Sequence, residues 1–109
     1  MQLQLPETVE LKGIRVLTTR QLAQAYETTR QIISYNFNYN KHRYVEGKHY
    51  IALEGDELRA FKASHEIHDN LKYAHIAYFW TEKGALLHAK SLNTDKAWEV
   101  YDYLVDYYF

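Results

Sequence analysis

The sequence predicts an α+β fold: a helix-turn-helix core with an N-terminal β-hairpin, a second, wing-like β-hairpin after it and two C-terminal helices. Three observations predict it. Two short helical patterns lie nearly end to end within Thr18 to Lys41. Alternating apolar and polar stretches flank that region on both sides. From Thr81 onward the apolar positions recur at helical spacing in two successive runs.

Thr8 to Leu17 reads as the first hairpin. Val9 and Leu11 alternate with charged residues, Lys12-Gly13 turns the chain, and Ile14, Val16 and Leu17 return. Pro6 suits the start of a strand. Thr18 or Thr19 then caps a helix whose apolar positions are Leu22, Ala23 and Tyr26. Thr28 and Thr29 cap a second helix with Ile33 and Phe37 four apart and Asn36 and Asn40 beside them. Only Glu27 and the two threonines separate the helices, which forces a sharp corner.

Beyond Lys41, Glu46-Gly47 is a turn signal and His49 to Leu53 alternates as a strand, with Tyr50 and either Ile51 or Leu53 inward. Gly55 to Lys62 forms a short helix with Leu58 and Phe61 on one face. Ala63 to Ala74 is polar and unpatterned, a loop. Ile76 to Trp80 is a strand expected to pair with His49 to Leu53, so that the connection between them lies where a wing meets DNA. TEKGALLHAKSL opens the next helix, with Leu86, Leu87 and Leu92 apolar, and Thr94 caps the last. That last helix carries two stripes: Trp98, Tyr101, Val105 and Tyr108, and Val100, Leu104 and Tyr107. One suits the core. The other predicts an interface, assigned to Tyr101, Leu104, Tyr107 and Tyr108, for self-association or for a neighbouring domain.

A helical wheel of the second helix separates Ile33, Phe37 and Asn40 from Gln31, Ser34, Tyr35 and Asn38, with Lys41 at the edge. The outer set holds amide, hydroxyl and phenol groups and no carboxylate. Such groups both donate and accept at base edges, and the missing negative charge avoids repulsion from phosphate. A solvated surface would use the same residue types.

At 109 residues the chain is one domain, long enough for a single core. It has no cysteine, so it holds no disulfide and no thiolate metal site. No apolar run approaches the ~20 residues that span a bilayer, and MQLQLPETVE lacks the basic and apolar regions of a signal peptide. A soluble, cytoplasmic protein is expected. The net charge of −1 is weak for a nucleic-acid binder, but its distribution is uneven. Lys12, Arg15, Arg20, Arg30, Lys41, Arg43 and Lys48 face only Glu27 and Glu46 between residues 12 and 50, whereas acids outnumber lysines from Glu66 to Phe109. A basic face with an acidic back suits a small duplex binder. Eleven tyrosines among seventeen aromatics exceed what one small core buries, so several rings lie at the surface or in an interface.

Enzymatic chemistry finds no support. His65 and His68 are three apart with His75 following, but no second ligand pair accompanies them and the spacing is not His-Glu-x-x-His. No metal and no cofactor is expected. His88 on an apolar helix face reads as a satisfied, half-buried residue. The four glycines are isolated, so there is no phosphate loop, and no serine is grouped with a base.

The sequence resembles the N-terminal DNA-binding domains of phage antirepressors, the ORF-six-N group related to KilA-N and Bro-N domains. The resemblance rests on Val16-Leu17-Thr18-Thr19 with Gln21-Leu22-Ala23, on Asn36-x-x-x-Asn40 followed by Glu46-Gly47-Lys48-His49-Tyr50, and above all on the run from Trp80-Thr81-Glu82-Lys83-Gly84 through Ala97-Trp98. It implies a domain that binds phage or host DNA and is usually followed by a C-terminal effector domain. Residues 1–109 are expected to be the DNA-binding unit alone, without the effector. Physically, Trp80 reads as a wedge between strand and helix and Gly84 as a point of close backbone approach, which are scaffold roles.

The expected function is therefore sequence-specific binding of double-stranded DNA by a phage or prophage regulator. Arg30, Gln31, Ser34, Tyr35 and Asn38 would face the major groove. Thr28 and Thr29 at the helix N-terminus, with Lys41, Arg43, Lys48 and His49, would hold phosphates. The rival expectation is a module that binds a repressor protein without contacting DNA, favoured by the weak net charge and the aromatic last helix.

Overall fold

The structure is a computed structural model that describes residues 5–64 and 74–109. Strands β1 (Val9–Leu11) and β2 (Ile14–Thr18) form the first hairpin, with Val9 opposite Val16. Its turn places Lys12 and Gly13 at φ values of 53° and 78°. Two consecutive left-handed residues suit the right-handed twist of paired strands, which is why a Lys-Gly pair can close this hairpin.

Helix α1 (Thr19–Ala25) follows directly, and the Thr18 side chain caps it. Thr18 accepts from Gln21 N while the Gln21 amide accepts from Thr18 N, both at 3.0 Å, a reciprocal capping box. The helix ends with Glu27 at φ 56°, Glu27 N donating to Gln24 O and Thr28 N donating to Ala23 O. These two bonds form a Schellman closure with glutamate where glycine is usual. Thr29 then caps helix α2 (Arg30–Tyr39) by accepting from Ile32 N. A short 3-10 turn, Lys41–Arg43, leads away from it.

Strand β3 (Tyr50–Glu54), helix α3 (Gly55–Ser64) and strand β4 (Ile76–Trp80) come next. β3 pairs antiparallel with β4, as expected of the second hairpin, with Tyr50 opposite Trp80. The two expected hairpins are joined into one sheet of order β1-β2-β4-β3, because Leu17 and Thr18 of β2 pair with Trp80 and Phe79 of β4. Ala63 and Ser64, read as the start of a loop, belong to α3; residues 65–73 of that loop, with His65 and His68, lie outside the described residues.

Both faces of this sheet are buried, in alternate positions. Val16, Ile51, Leu53, Ala77 and Phe79 point to one side, where Leu58 and Phe61 of α3 cover them. Leu17 and Trp80 point to the other, toward Leu22, Ala23 and Tyr26 of α1 and Ile33 and Phe37 of α2. Two-sided burial lets Tyr50 face one core while Ile51 and Leu53, which the sequence offered as alternatives, both enter the other.

Thr81 caps helix α4 (Glu82–Leu92) and Thr94 caps helix α5 (Asp95–Tyr107). The buried face of α4 is Gly84, Ala85, His88 and Ala89, whereas Leu86, Leu87 and Leu92 are only partly covered. Small residues let α4 approach the sheet closely: a Cβ on Gly84 would overlap the backbone carbonyl oxygen of His49. Among the described residues no helix is long and apolar enough to cross a membrane.

In α5 the structure divides the expected stripes. Ala97, Val100 and Leu104 are buried, as is Tyr108 just beyond the helix. Leu104 and Tyr108 are 1% and 3% exposed, so neither belongs to an interface surface; their partner is the chain's own core. Tyr101 is half-buried against the same core, and only Tyr107 of the assigned four presents its ring, 67% exposed, to the outside. The error has a physical cause: Tyr108 has an apolar ring and a polar tip, and the tip finds partners at the opposite end of the chain. Its hydroxyl donates to Val16 O at 2.6 Å and accepts from Val9 N at 3.1 Å, while Arg15 donates to Tyr108 O. Tyr108→Phe is expected to cost about 1–3 kcal/mol, because it leaves buried backbone groups unpaired. Denaturant melting measures this; wild-type stability in the variant would show that the hydroxyl holds nothing together.

Candidate nucleic-acid interface

Helix α2 is held from below by aromatic packing. The Phe37 ring lies 5.0 Å from Tyr44, and 5.1 Å from each of Tyr50, Tyr78 and Trp80, mostly edge to face. Trp80 is itself fixed by donation from Nε1 to Thr19 Oγ1 at 3.0 Å. On the α1 side, the Tyr26 hydroxyl donates to Ala85 O at 2.7 Å, tying α1 to α4. At the corner between α1 and α2, Lys96 of α5 pairs with Glu27 at 3.1 Å. One face of α2 is thus committed to the core, and the opposite face is free to meet a partner.

That opposite face carries Gln31, Ser34, Tyr35 and Asn38, all exposed. The structure therefore brings together four of the five residues assigned to base contacts; Arg30 is half-buried and, two turns before Phe37, lies at the border of the core-facing side. It also adds two that the wheel did not single out. Ile32 is 44% exposed and Tyr39 is 73% exposed, the latter stacked on Tyr35 with ring centroids 6.0 Å apart. The four-residue spacing of Tyr35 and Tyr39 was the available signal for that pair.

Of the residues assigned to phosphate, Thr29 is exposed at the helix N-terminus and Thr28 is half-buried. The Thr29 hydroxyl accepts from Ile32 N, so its own proton remains available, and the first-turn amides of α2 have no acceptor within the helix. Lys41, Arg43 and Lys48 are exposed, and none forms an ion pair among the described residues. The Lys41 ammonium sits 5.8 Å from the Phe37 ring, over the end of α2. Arg20 is likewise exposed and forms no ion pair among the described residues. Lys12 and Arg15 are different: they pair with Glu57 and Glu10, so they add little to a free positive surface.

His49 does not join this set. It is 9% exposed, and its Nδ1 accepts from Val45 N at 2.9 Å, which makes it a joint of the loop before β3. Burial, with Lys48 and Lys83 nearby, pushes its pKa below the ordinary value, so the ring is a poor cation. His88 also departs from expectation. It is fully buried, neither ring nitrogen has a partner among the described residues, and the ring packs edge to face on Trp80 at 4.4 Å.

These features define a small α+β domain whose second helix presents a polar, carboxylate-free face on a rigid aromatic base, with unpaired cations at its end. The model of the ORF6N domain matches residues 7–91, from β1 through nearly all of α4, and the chain belongs to that family, a phage-type regulatory domain. No curated protein and no solved structure matches the chain with significance.

Proposed function

We propose that the domain binds double-stranded DNA sequence-specifically, with α2 as the reading helix of a helix-turn-helix, as part of a phage or prophage regulatory protein. The observation that carries this reading is the exposure of Gln31, Ser34, Tyr35 and Asn38 together on one acid-free helix face. Their amides and hydroxyls match the mixed donor and acceptor pattern of the major groove, and Arg30 and the exposed Ile32 add a cation and a methyl-seeking contact. Thr28, Thr29, Lys41, Arg43 and Lys48 supply the phosphate contacts that set register.

The test begins with selection of bound sites from random duplex DNA. Against a selected site, Gln31→Ala or Asn38→Ala is expected to lose ~1–3 kcal/mol and to relax preference at one or two base pairs. Lys48→Ala should instead weaken all sequences alike and reduce the salt slope by about one. Unchanged affinity in both outer-face variants would remove α2 from the reading role.

A second reading is supported by the aromatic end of α5, where Tyr107 is 67% exposed and its ring lies 5.0 Å from that of Tyr103. In it the domain binds a repressor or a second copy of itself through that helix. Gel shifts at low salt separate the two: no shift with any duplex, together with co-purification of a repressor, supports this second reading.

A further inference from the structure

Between the C-terminal half of α2 and the end of α4 lies an open cleft of about 530 Å³, lined by Tyr35, Tyr39, Arg43, Tyr44 and Lys90 among others. Its volume falls within the roughly 300–1,000 Å³ usual for small-ligand sites. The remaining lining residues are Asn36, Asn40, Leu87 and Ser91, so the cleft holds two cations and no carboxylate. Neither Arg43 nor Lys90 forms an ion pair among the described residues.

Tyr44 is the one buried member of the lining, 7% exposed, and its hydroxyl has no hydrogen-bond partner of good geometry among the described residues. The Ser91 hydroxyl lies close enough to interact with the phenol, although its own proton goes to Leu87 O at 3.0 Å. A buried, unpaired hydroxyl is costly unless a ligand supplies the partner. At the mouth, the stacked Tyr35 and Tyr39 rings are 66% and 73% exposed and offer flat apolar faces to a planar group.

We propose that this cleft binds one nucleotide, its phosphate held by Arg43 and Lys90 and its base stacked on Tyr39. Two unpaired cations and no acid select an anion, and the Tyr44 hydroxyl and the Asn36 amide supply neutral donors to its oxygens. The paired tyrosines select a flat ring, since base–aromatic stacking tolerates any base. The site adjoins the reading face of α2, sharing Tyr35 with it and Arg43 with the proposed duplex phosphate contacts, but Lys90, Tyr39 and Tyr44 have no part in duplex recognition. The nucleotide can come from the free pool or from an unpaired strand.

The experiment titrates the intact domain with adenosine monophosphate, a short oligo-dT and pyrophosphate, following tyrosine fluorescence and calorimetry. Lys90→Ala and Tyr39→Ala change exposed side chains, so melting curves should confirm that both variants fold. Each is expected to weaken nucleotide binding about tenfold, and Gln31→Ala should leave it unchanged even if duplex reading fails. Tyr44→Phe, which keeps the ring and removes the hydroxyl, should weaken it to a smaller extent. Saturable binding of the mononucleotide assigns the site to the free pool; binding of the oligonucleotide alone assigns it to a strand. Failure of both to bind overturns the proposal, as does nucleotide affinity that survives Tyr39→Ala and is matched by pyrophosphate.

Discussion

Gly84→Ala is expected to lower the melting temperature by roughly 8–16 °C. Gly84 sits in the first turn of α4, where its amide donates to Thr81 Oγ1 and its Cα faces the backbone of His49. His49 O also accepts from Thr81 N at 3.1 Å, and Thr81 Oγ1 donates to Lys48 O. The loop before β3 and the start of α4 therefore share one tight joint. Alanine in a helix is intrinsically better than glycine by about 1 kcal/mol. Overpacking against atoms that cannot rotate away costs up to about 3 kcal/mol, so the clash wins by about 2. At 4–8 °C per kcal/mol for a domain near this size, that gives the stated drop. Lys83→Ala, one residue earlier and exposed, is the control and should melt near the wild type. A Gly84→Ala variant that melts at or above wild type would show that the joint can open at no cost.

His88 gives the second large effect, and it is a pH effect. Burial without a partner pushes its pKa down to about 3, while the unfolded chain titrates near 6.5. Below the unfolded value the unfolded state binds a proton that the folded state refuses, so stability falls as the pH drops from 6.5 toward 3. The expected loss between about pH 7 and about pH 5 is ~2 kcal/mol from this residue. His49, whose pKa is also lowered, acts with the same sign, so the comparison must be made between wild type and His88→Leu. Leucine keeps an apolar side chain against Trp80 and Tyr44 and has no titration, so the variant's stability should be flatter across that window and higher at its acidic end. Identical pH profiles for the two proteins would mean that His88 finds a polar partner after all.

The order of the elements was legible because local signals agree with the final packing. Thr18, Thr29, Thr81 and Thr94 each precede a helix and each caps it. The apolar, aromatic run from Ile76 to Trp80, bounded by Thr81, gave a strand, and its pairing with β3 followed from the hairpin pattern. What could not be read was non-local. The β2–β4 pairing that merges two hairpins involves residues about sixty apart, with no turn between them to announce it. The split of the α5 stripes was hidden because tyrosine fits a core and a surface alike. The exposed outer face of α2 was legible from periodicity on one short helix, whereas Lys90 and Ser91 reach the neighbouring cleft only through the tertiary approach of α4 to α2.

The sheet with two buried faces fixes the height of α2. Neighbouring residues Phe79 and Trp80 enter opposite cores, a phenyl under α3 and an indole under α2. If β4 slid by one position, each ring would enter a space shaped for the other. Phe37 rests on the Trp80 indole, so α2 cannot sink or tilt without disturbing a strand held on both sides. Whatever α2 touches thus meets a stiff ruler whose stand-off is set in the middle of the sheet, far from the contact itself.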